Sequence, residues 1–585
     1  MKIKHLFGLA VIAAMSASCS SNEDLGTAGP GTGTNETGVG YATFTINLPS
    51  TNGTRAGNPT YDQGTADEYD VNDVTLLIFK KTATSTSEGD YTFVEKADLG
   101  TMAPWKDENN SDGITASATI TAKLTGVTLT NEGSTSDYYA LAILNNNADA
   151  TGAGKVKLPT TGTYSTWNDA SNADVAKFTD NTNGYYMANA PVYNEGGEPT
   201  TLVNIDKVYA TKQKAETNAA TTIHVERGLA KVSIASNAFP STALNPTGTK
   251  YHEDEVKITA WNLDVTNNFT FPIHKTAGLK NTNFSTIWIP STEAATTGAS
   301  VARFVDAANP AFKRVHWGID PNYNINLSNE TDCKGQFTIL PANATINGAA
   351  DKPQYCLENT FDIEHMKQGQ TTRVVFKAMY KPKGFSAGET FYKIGNSTDL
   401  WNEENLKAQI AAKAAEVVGV ASSAITVDLE ATTNDIKNNA GTKLLVKENV
   451  KNGTTAVSDE QIADINAKLG LKEATAKGPI VGIATYKSGE SYYIARIKHF
   501  GALTPWAEGQ ETYGTNNEEN NTKYLGRYGV LRNNWYELTV GSVSGPGTPD
   551  VPTIKPTEPD DESYKYISVS VKILSWAKRS DTVDL

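Results

Sequence analysis

Tyr41-Ala42-Thr43-Phe44-Thr45-Ile46-Asn47-Leu48 alternates without a break. Ala42, Phe44, Ile46 and Leu48 fall on one face; Tyr41, Thr43, Thr45 and Asn47 fall on the other. That is the period of a half-buried β-strand. Pro49 ends it, and residues 50–54 form a polar loop that leads to Arg55, with Ala56 and Gly57 behind. A lone arginine among small residues in a loop is a good substrate for a trypsin-like protease. A cut between Arg55 and Ala56 would release the strand with everything before it. A domain that loses its first strand exposes an apolar groove and unpaired backbone groups, so something has to fill the gap.

Upstream, Lys2 and Lys4, the apolar run 6–14 and the small residues Ser16-Ala17-Ser18 before Cys19 compose a secretory leader. The apolar run is too short to cross a bilayer. Small residues directly before a cysteine resemble the bacterial lipobox, which implies lipid attached to Cys19 through a thioether. Glu23 and Asp24 resemble the acidic signal that sends lipoproteins of Bacteroidales-type bacteria to the outer face. Residues 26–40, rich in Gly and Thr, read as a flexible tether. Gly29, Gly31 and Gly33 are no phosphate loop, since no strand precedes them and no helix follows.

The other end carries a second alternating stretch. Residues 541–562 are rich in Pro, Gly, Asp and Thr and read as a linker. In residues 566–576 beyond it, Ile567, Val569, Val571 and Ile573 share one apolar face, over a length of roughly 36 Å at about 3.3 Å per residue. Such a strand can close its own sheet or reach a neighbouring molecule, and the residues alone favour neither.

Between the ends, short strands such as 73–79, 114–124, 223–234 and 373–380 alternate with Gly/Asn/Thr-rich turns, the pattern of β-sandwiches. The reading is mainly β, with one domain over residues 56–220 and a second over 221–540. The second carries a small helical insertion near 400–470. Leu406, Ile410, Ala414, Val417 and Val418 keep helical spacing between Trp401 and Gly419. Ser458 and Gln461 form a capping box ahead of Ile462, Ile465 and Leu469, with Gly470 at the end.

Composition excludes several functions. A formal net charge of −14 over 585 residues, with no dense Lys/Arg cluster, argues against a nucleic-acid partner. The seven histidines show no metal-ligand spacing. The densest ligand cluster, His252-Glu253-Asp254-Glu255, reads as a solvated loop. There is no nucleophile elbow and no Walker loop, so neither a catalytic role nor a cofactor is expected. Cys333 and Cys356 are the two cysteines beyond the leader. An even pair in an exported chain reads as a disulfide contributing about 3 kcal/mol; two buried free thiols are the other reading.

The chain resembles the fimbrillins of Bacteroidales, the type V pilins, and most closely the shaft subunits of minor (Mfa-type) fimbriae. Thr54-Arg55-Ala56-Gly57 is similar to the family's processing site, and Tyr138-Tyr-Ala-Leu-Ala-Ile-Leu-Asn145 to its core strand. Val225-Glu226-Arg227 with Ala230-Lys231-Val232 resembles the opening of the second domain. Residues 528–538, Tyr-Gly-Val-Leu-Arg-Asn-Asn-Trp-Tyr-Glu-Leu, and the end from Trp576 to Val583-Asp584-Leu585 resemble the family's late signatures. The middle, about 278–478, adds little beyond Tyr355-Cys356-Leu357-Glu358-Asn359-Thr360.

The resemblance implies two tandem transthyretin-like β-sandwiches and a structural shaft subunit. It implies a precursor lipid-anchored at the outer membrane, an arginine-specific protease cutting after Arg55, and entry of another copy's carboxyl-terminal strand into the groove vacated by residues 41–48. Partners would be copies of the chain itself, accessory tip and anchor subunits, and host or bacterial surface receptors. Two other readings stay open. One is an anchored glycan binder using Trp105, Trp261, Trp317, Trp401 and Trp506; the other is a fimbrial tip adhesin with a dispensable last strand.

Overall fold

A computed structural model describes residues 39–48, 68, 70–100, 106–107, 116–127, 136–148, 153–170, 173–193, 199–235, 243–244, 250–277, 314–323, 325–349, 351–361, 365–475, 479–499, 528–560 and 567–575. The expected lipidation and cleavage residues Cys19, Arg55 and Ala56 lie outside this set.

The mainly β expectation holds. The first sheet contains nine strands. In chain order these are β1 (Gly40–Asn47), β2 (Val74–Lys80), β3 (Thr92–Gly100), β4 (Lys106–Asp107), β5 (Ala116–Leu124), β6 (Tyr138–Leu144), β7 (Met187–Asn189), β8 (Val203–Asn204) and β9 (Thr221–Arg227). Their spatial order is β3-β2-β6-β7-β9-β1-β5-β4, with β8 on β6. Strand β2 reads Val-Thr-Leu-Leu-Ile-Phe because both of its faces are covered. Leu76 and Ile78 share a core with Ala42, Phe44 and Ile46 of β1 and with Ala140 and Ala142 of β6. Leu77 and Phe79 pack on the opposite side with Tyr164, Trp167, Phe178 and Tyr186.

The chain leaves this sheet at Gly228 and continues as β10 (Leu229–Ile234) in another. A Cβ on Gly228 would stand 2.4 Å from Cζ of Phe178, so only glycine fits where the chain passes that ring. Strand β10 runs antiparallel to Gln354–Leu357 and parallel to Asn534–Val543. A second four-stranded sheet holds Glu255–Asp264, Arg373–Lys381 and Glu490–Arg496 as neighbours. The two share one core, with Ala230, Val232, Tyr536 and Leu538 from one and Val256, Trp261 and Phe376 from the other, as in a β-sandwich.

The helical insertion is present. Asn402 caps the helix Glu403–Val418, and Gly419 ends it in the left-handed region at φ 78°. Ser458 and Gln461 form the reciprocal capping box of Asp459–Lys468, at 2.9 and 3.1 Å. Leu406, Ile410, Ile462 and Ile465 meet in one apolar cluster.

The expected disulfide is not formed. Cys333 and Cys356 are both free and buried. Cys333, on the helix Glu330–Gln336, packs with Val265, Leu327, Phe337 and Ile554. Cys356 lies opposite Ala230 in the sandwich core. Cysteine number carries no geometry, and a disulfide needs two Cβ atoms about 4 Å apart with the right vectors.

Candidate functional site

Strand β1 is not at an edge. It lies between β5 and β9, antiparallel to the first over eight residue pairs, from Gly40 opposite Leu124 to Asn47 opposite Ser117. It runs parallel to the second from Phe44 beside Thr221 to Asn47 beside His224. Ala42, Phe44 and Ile46 are 0 % exposed and Leu48 is 1 % exposed. On the opposite face, Thr43 and Thr121 hydroxyls meet at 2.8 Å and Thr45 and Thr119 at 2.9 Å. Tyr41 closes the strand's start through paired backbone hydrogen bonds with Tyr209, 2.7 and 2.8 Å. Both rows of backbone groups on β1 therefore have partners, and its apolar face fills the core of the first sheet.

The carboxyl-terminal strand Ile567–Ser575 occupies a contrasting position. It is the outermost member of its sheet, antiparallel to Asn534–Val543 from Asn534 opposite Ser575 to Val543 opposite Ile567, with a bulge between Val540 and Ser542. Ile567, Val569, Val571 and Ile573 fall at register positions opposite Val543, Val540, Leu538 and Tyr536. Among the described residues only one of its backbone edges is paired within the sheet, and such an edge strand can exchange partners.

Several buried charge clusters escaped sequence reasoning, two of them on β9 and β10. Glu68 is 0 % exposed and takes the Lys231 ammonium at 2.7 Å and the Tyr355 hydroxyl at 2.5 Å. Its backbone carbonyl accepts from Arg227 Nε at 2.8 Å. Lys231 also lies 3.9 Å above the ring of Trp535. In the second cluster, the Glu226 carboxylate meets His274 Nδ1 at 2.8 Å and the Arg314 guanidinium. Charged residues inside otherwise apolar strands, as in Val225-Glu226-Arg227 and Ala230-Lys231-Val232, were the available signal. Buried charge is tolerated only when paired.

Residues weighed for other chemistry are tied up in structure. Glu253 pairs with Lys383 at 2.6 Å, Asp254 accepts from the Tyr380 hydroxyl at 2.7 Å, and Glu255 pairs with Lys381 at 2.9 Å. Among the described residues no group of three His, Cys, Asp or Glu side chains could hold a metal ion. Trp261 and Trp317 are buried, at 0 % and 1 % exposure, and offer no face to a sugar. Trp401 packs partly buried against the helical insertion. Trp105 and Trp506 lie outside the described residues.

Residues 484–582, which include the strands Asn534–Val543 and Ile567–Ser575, match the family described as major fimbrial subunit protein type IV, fimbrillin, C-terminal. Residues 484–582 are therefore similar to the carboxyl-terminal region of fimbrillins. No curated protein sequence matches the chain. Among solved structures, a Parabacteroides distasonis protein described as a candidate for cell adhesion is 11 % identical, with 92 % of this chain and 98 % of that one covered and a TM-score of 0.36. A fimbrillin of Porphyromonas gingivalis is 11 % identical over 91 % of this chain and 96 % of that one, TM-score 0.29. The C-terminally truncated tip fimbrial protein Mfa3 of the same species is 10 % identical over 59 % and 79 %, TM-score 0.22.

Proposed function

We propose that this fimbrillin is a structural subunit of a cell-surface fimbrium that polymerises by strand exchange. The precursor is lipidated at Cys19 and held at the outer membrane, and an arginine-specific protease cuts between Arg55 and Ala56. Strand β1 leaves with the lipid. The strand Ile567–Ser575 of another copy, led by Ile567, Val569, Val571 and Ile573, takes its place beside β5 and β9. Repeated head to tail, the interface does not close and yields a filament. Accessory tip and anchor subunits end the filament, whose surface supports adhesion and biofilm formation.

The observation that carries this reading is the position of β1. It is a buried, doubly paired strand that ends at Asn47, and the sequence places an isolated Arg-Ala bond eight residues later, at Arg55 and Ala56. Loss of β1 would leave two open strand edges and an apolar groove lined by Leu76, Ile78, Ala140 and Ile223. The family match over the other end supplies the second support.

The test is treatment of the purified precursor with an arginine-specific protease, followed by amino-terminal sequencing and electron microscopy. A new start at Ala56 and filaments that vanish in Arg55→Ala and in a deletion of residues 566–585 are expected. A chain that is cut but never polymerises indicates a tip or accessory subunit. A chain left uncut, with its lipid retained at the surface, sinks the reading.

A further inference from the structure

Strand β1 and the carboxyl-terminal strand carry the same order of residue types. Tyr41-Ala42-Thr43-Phe44-Thr45-Ile46-Asn47-Leu48 stands against Tyr566-Ile567-Ser568-Val569-Ser570-Val571-Lys572-Ile573. Position by position the two read tyrosine, apolar, hydroxyl, apolar, hydroxyl, apolar, polar, apolar. From this we infer that the carboxyl-terminal strand enters the groove in the direction and register of β1 itself, antiparallel to β5 and parallel to β9, with Ser568 opposite Thr121 and Ser570 opposite Thr119. The inference rests on the strand-exchange reading and adds to it a direction and a residue-by-residue register.

The groove's own chemistry distinguishes this register from its neighbours. Ala42 and Leu48 mark the ends of the buried face, and both are essentially without exposure. Parity keeps the apolar face inward only for slips of two residues. A slip of two one way sets Lys565 in the place of Ala42; a slip the other way sets Ser575 in the place of Leu48. Either puts a polar group at a fully buried position, which is unfavourable unless the group finds a hydrogen-bond partner there.

Reversing the strand keeps Ile567, Val569, Val571 and Ile573 inward but sets Lys572 opposite Thr121, where the hydroxyl of Thr43 stands now. It also gives the place of Tyr41, the residue bridged to Tyr209, to Leu574. In the inferred register Tyr566 takes that place, and both threonine hydroxyls of β5 regain hydroxyl partners. Lys572 replaces Asn47, a polar residue 5 % exposed in the last pair of the strand, where a four-carbon stem can carry the ammonium past the strand's end.

Cysteine pairs read the register directly, because facing side chains at the Thr43–Thr121 position approach closely enough for a disulfide. Filaments would be grown from the full chain carrying one pair at a time, oxidised mildly, boiled without reductant and run on gels. The pair Thr121→Cys with Ser568→Cys is expected to give a covalent ladder that dithiothreitol collapses. Thr119→Cys with Ser570→Cys joins in either direction and reports that the strand occupies the groove.

A ladder from Thr121→Cys with Lys572→Cys, and none from Thr121→Cys with Ser568→Cys, overturns the direction. A ladder from Thr119→Cys with Ser568→Cys overturns the register. Unsubstituted chains that are cut at Arg55 and form no filaments overturn the strand-exchange reading and this inference with it. That result is separate from filaments joined in another register.

Discussion

Lys231 on β10 holds its ammonium 2.7 Å from the carboxylate of Glu68, with both side chains buried. The pair ties a residue thirteen positions beyond Arg55 to β10. Tyr355 and Arg227 add their own hydrogen bonds to Glu68, so Glu68 is held from three strands. Replacing Glu68 by alanine leaves Lys231 charged, buried and without its carboxylate. The expected loss is about 3–5 kcal/mol of unfolding free energy. Urea titration checks it, and the added change Lys231→Met should recover most of the loss because no charge is then stranded.

Phe44→Ala should cost the precursor about 3–5 kcal/mol, since the ring is fully buried in the first core. The same substitution should leave the stability of the strand-exchanged filament unchanged, because β1 is no longer part of it. Calorimetry of precursor and filament, each with and without the substitution, separates the two. An equal loss in both would mean that β1 stays in place.

A carboxyl group that titrates near neutrality makes stability depend on pH. Burial pushes Asp320 up to about 7, aided by the nearby charge of Glu358, against backbone hydrogen bonds from Thr360 and Asn322. Between about pH 4 and 7 the unfolded chain ionises this group while the folded chain keeps its proton. The stabilisation is therefore complete below about pH 4 and disappears as pH rises through 7, with a slope on the order of 1.4 kcal/mol per pH unit. Asp320→Asn should remove that share of the slope. Its amide forfeits part of the backbone hydrogen bonding to this side chain, an offset that does not vary with pH. Unfolding curves of both chains from pH 4 to 8 provide the comparison.

The two buried thiols give a chemical test. Burial pushes Cys333 up to about 11 and Cys356 up to about 12, which keeps both protonated at pH 8. The chain from Ala56 onward should take up no iodoacetamide when native and two equivalents in urea without reductant, read by mass spectrometry. A chain that takes up two only after reduction would contain the bond that the structure lacks.

What was legible in the sequence was local. Alternation placed a strand at residues 41–48, where β1 runs over Gly40–Asn47, and another at 566–576, where the strand Ile567–Ser575 lies. Ser458, Gln461 and Gly470 marked their helix because caps act within a turn of the chain. Partners across long separations left no such mark. Nothing near Phe44 announces Ile120, its neighbour on β5, or Thr221 on β9. Glu68 pairs with a lysine 163 residues away, and no periodicity carries that distance. The cysteines misled for the same reason, since their count was local information and their separation in space was not.

The central seat of β1 also decides how the proposed filament would bear load. A strand lent by one subunit would lie along β5 of the next over eight residues and along β9 over four, as β1 does. If the filament axis follows that strand, tension slides it lengthwise. The hydrogen bonds on both flanks would then have to break together rather than one after another from an end. Such a joint resists shear far better than peeling, which suits a fibre that must hold a cell against flow.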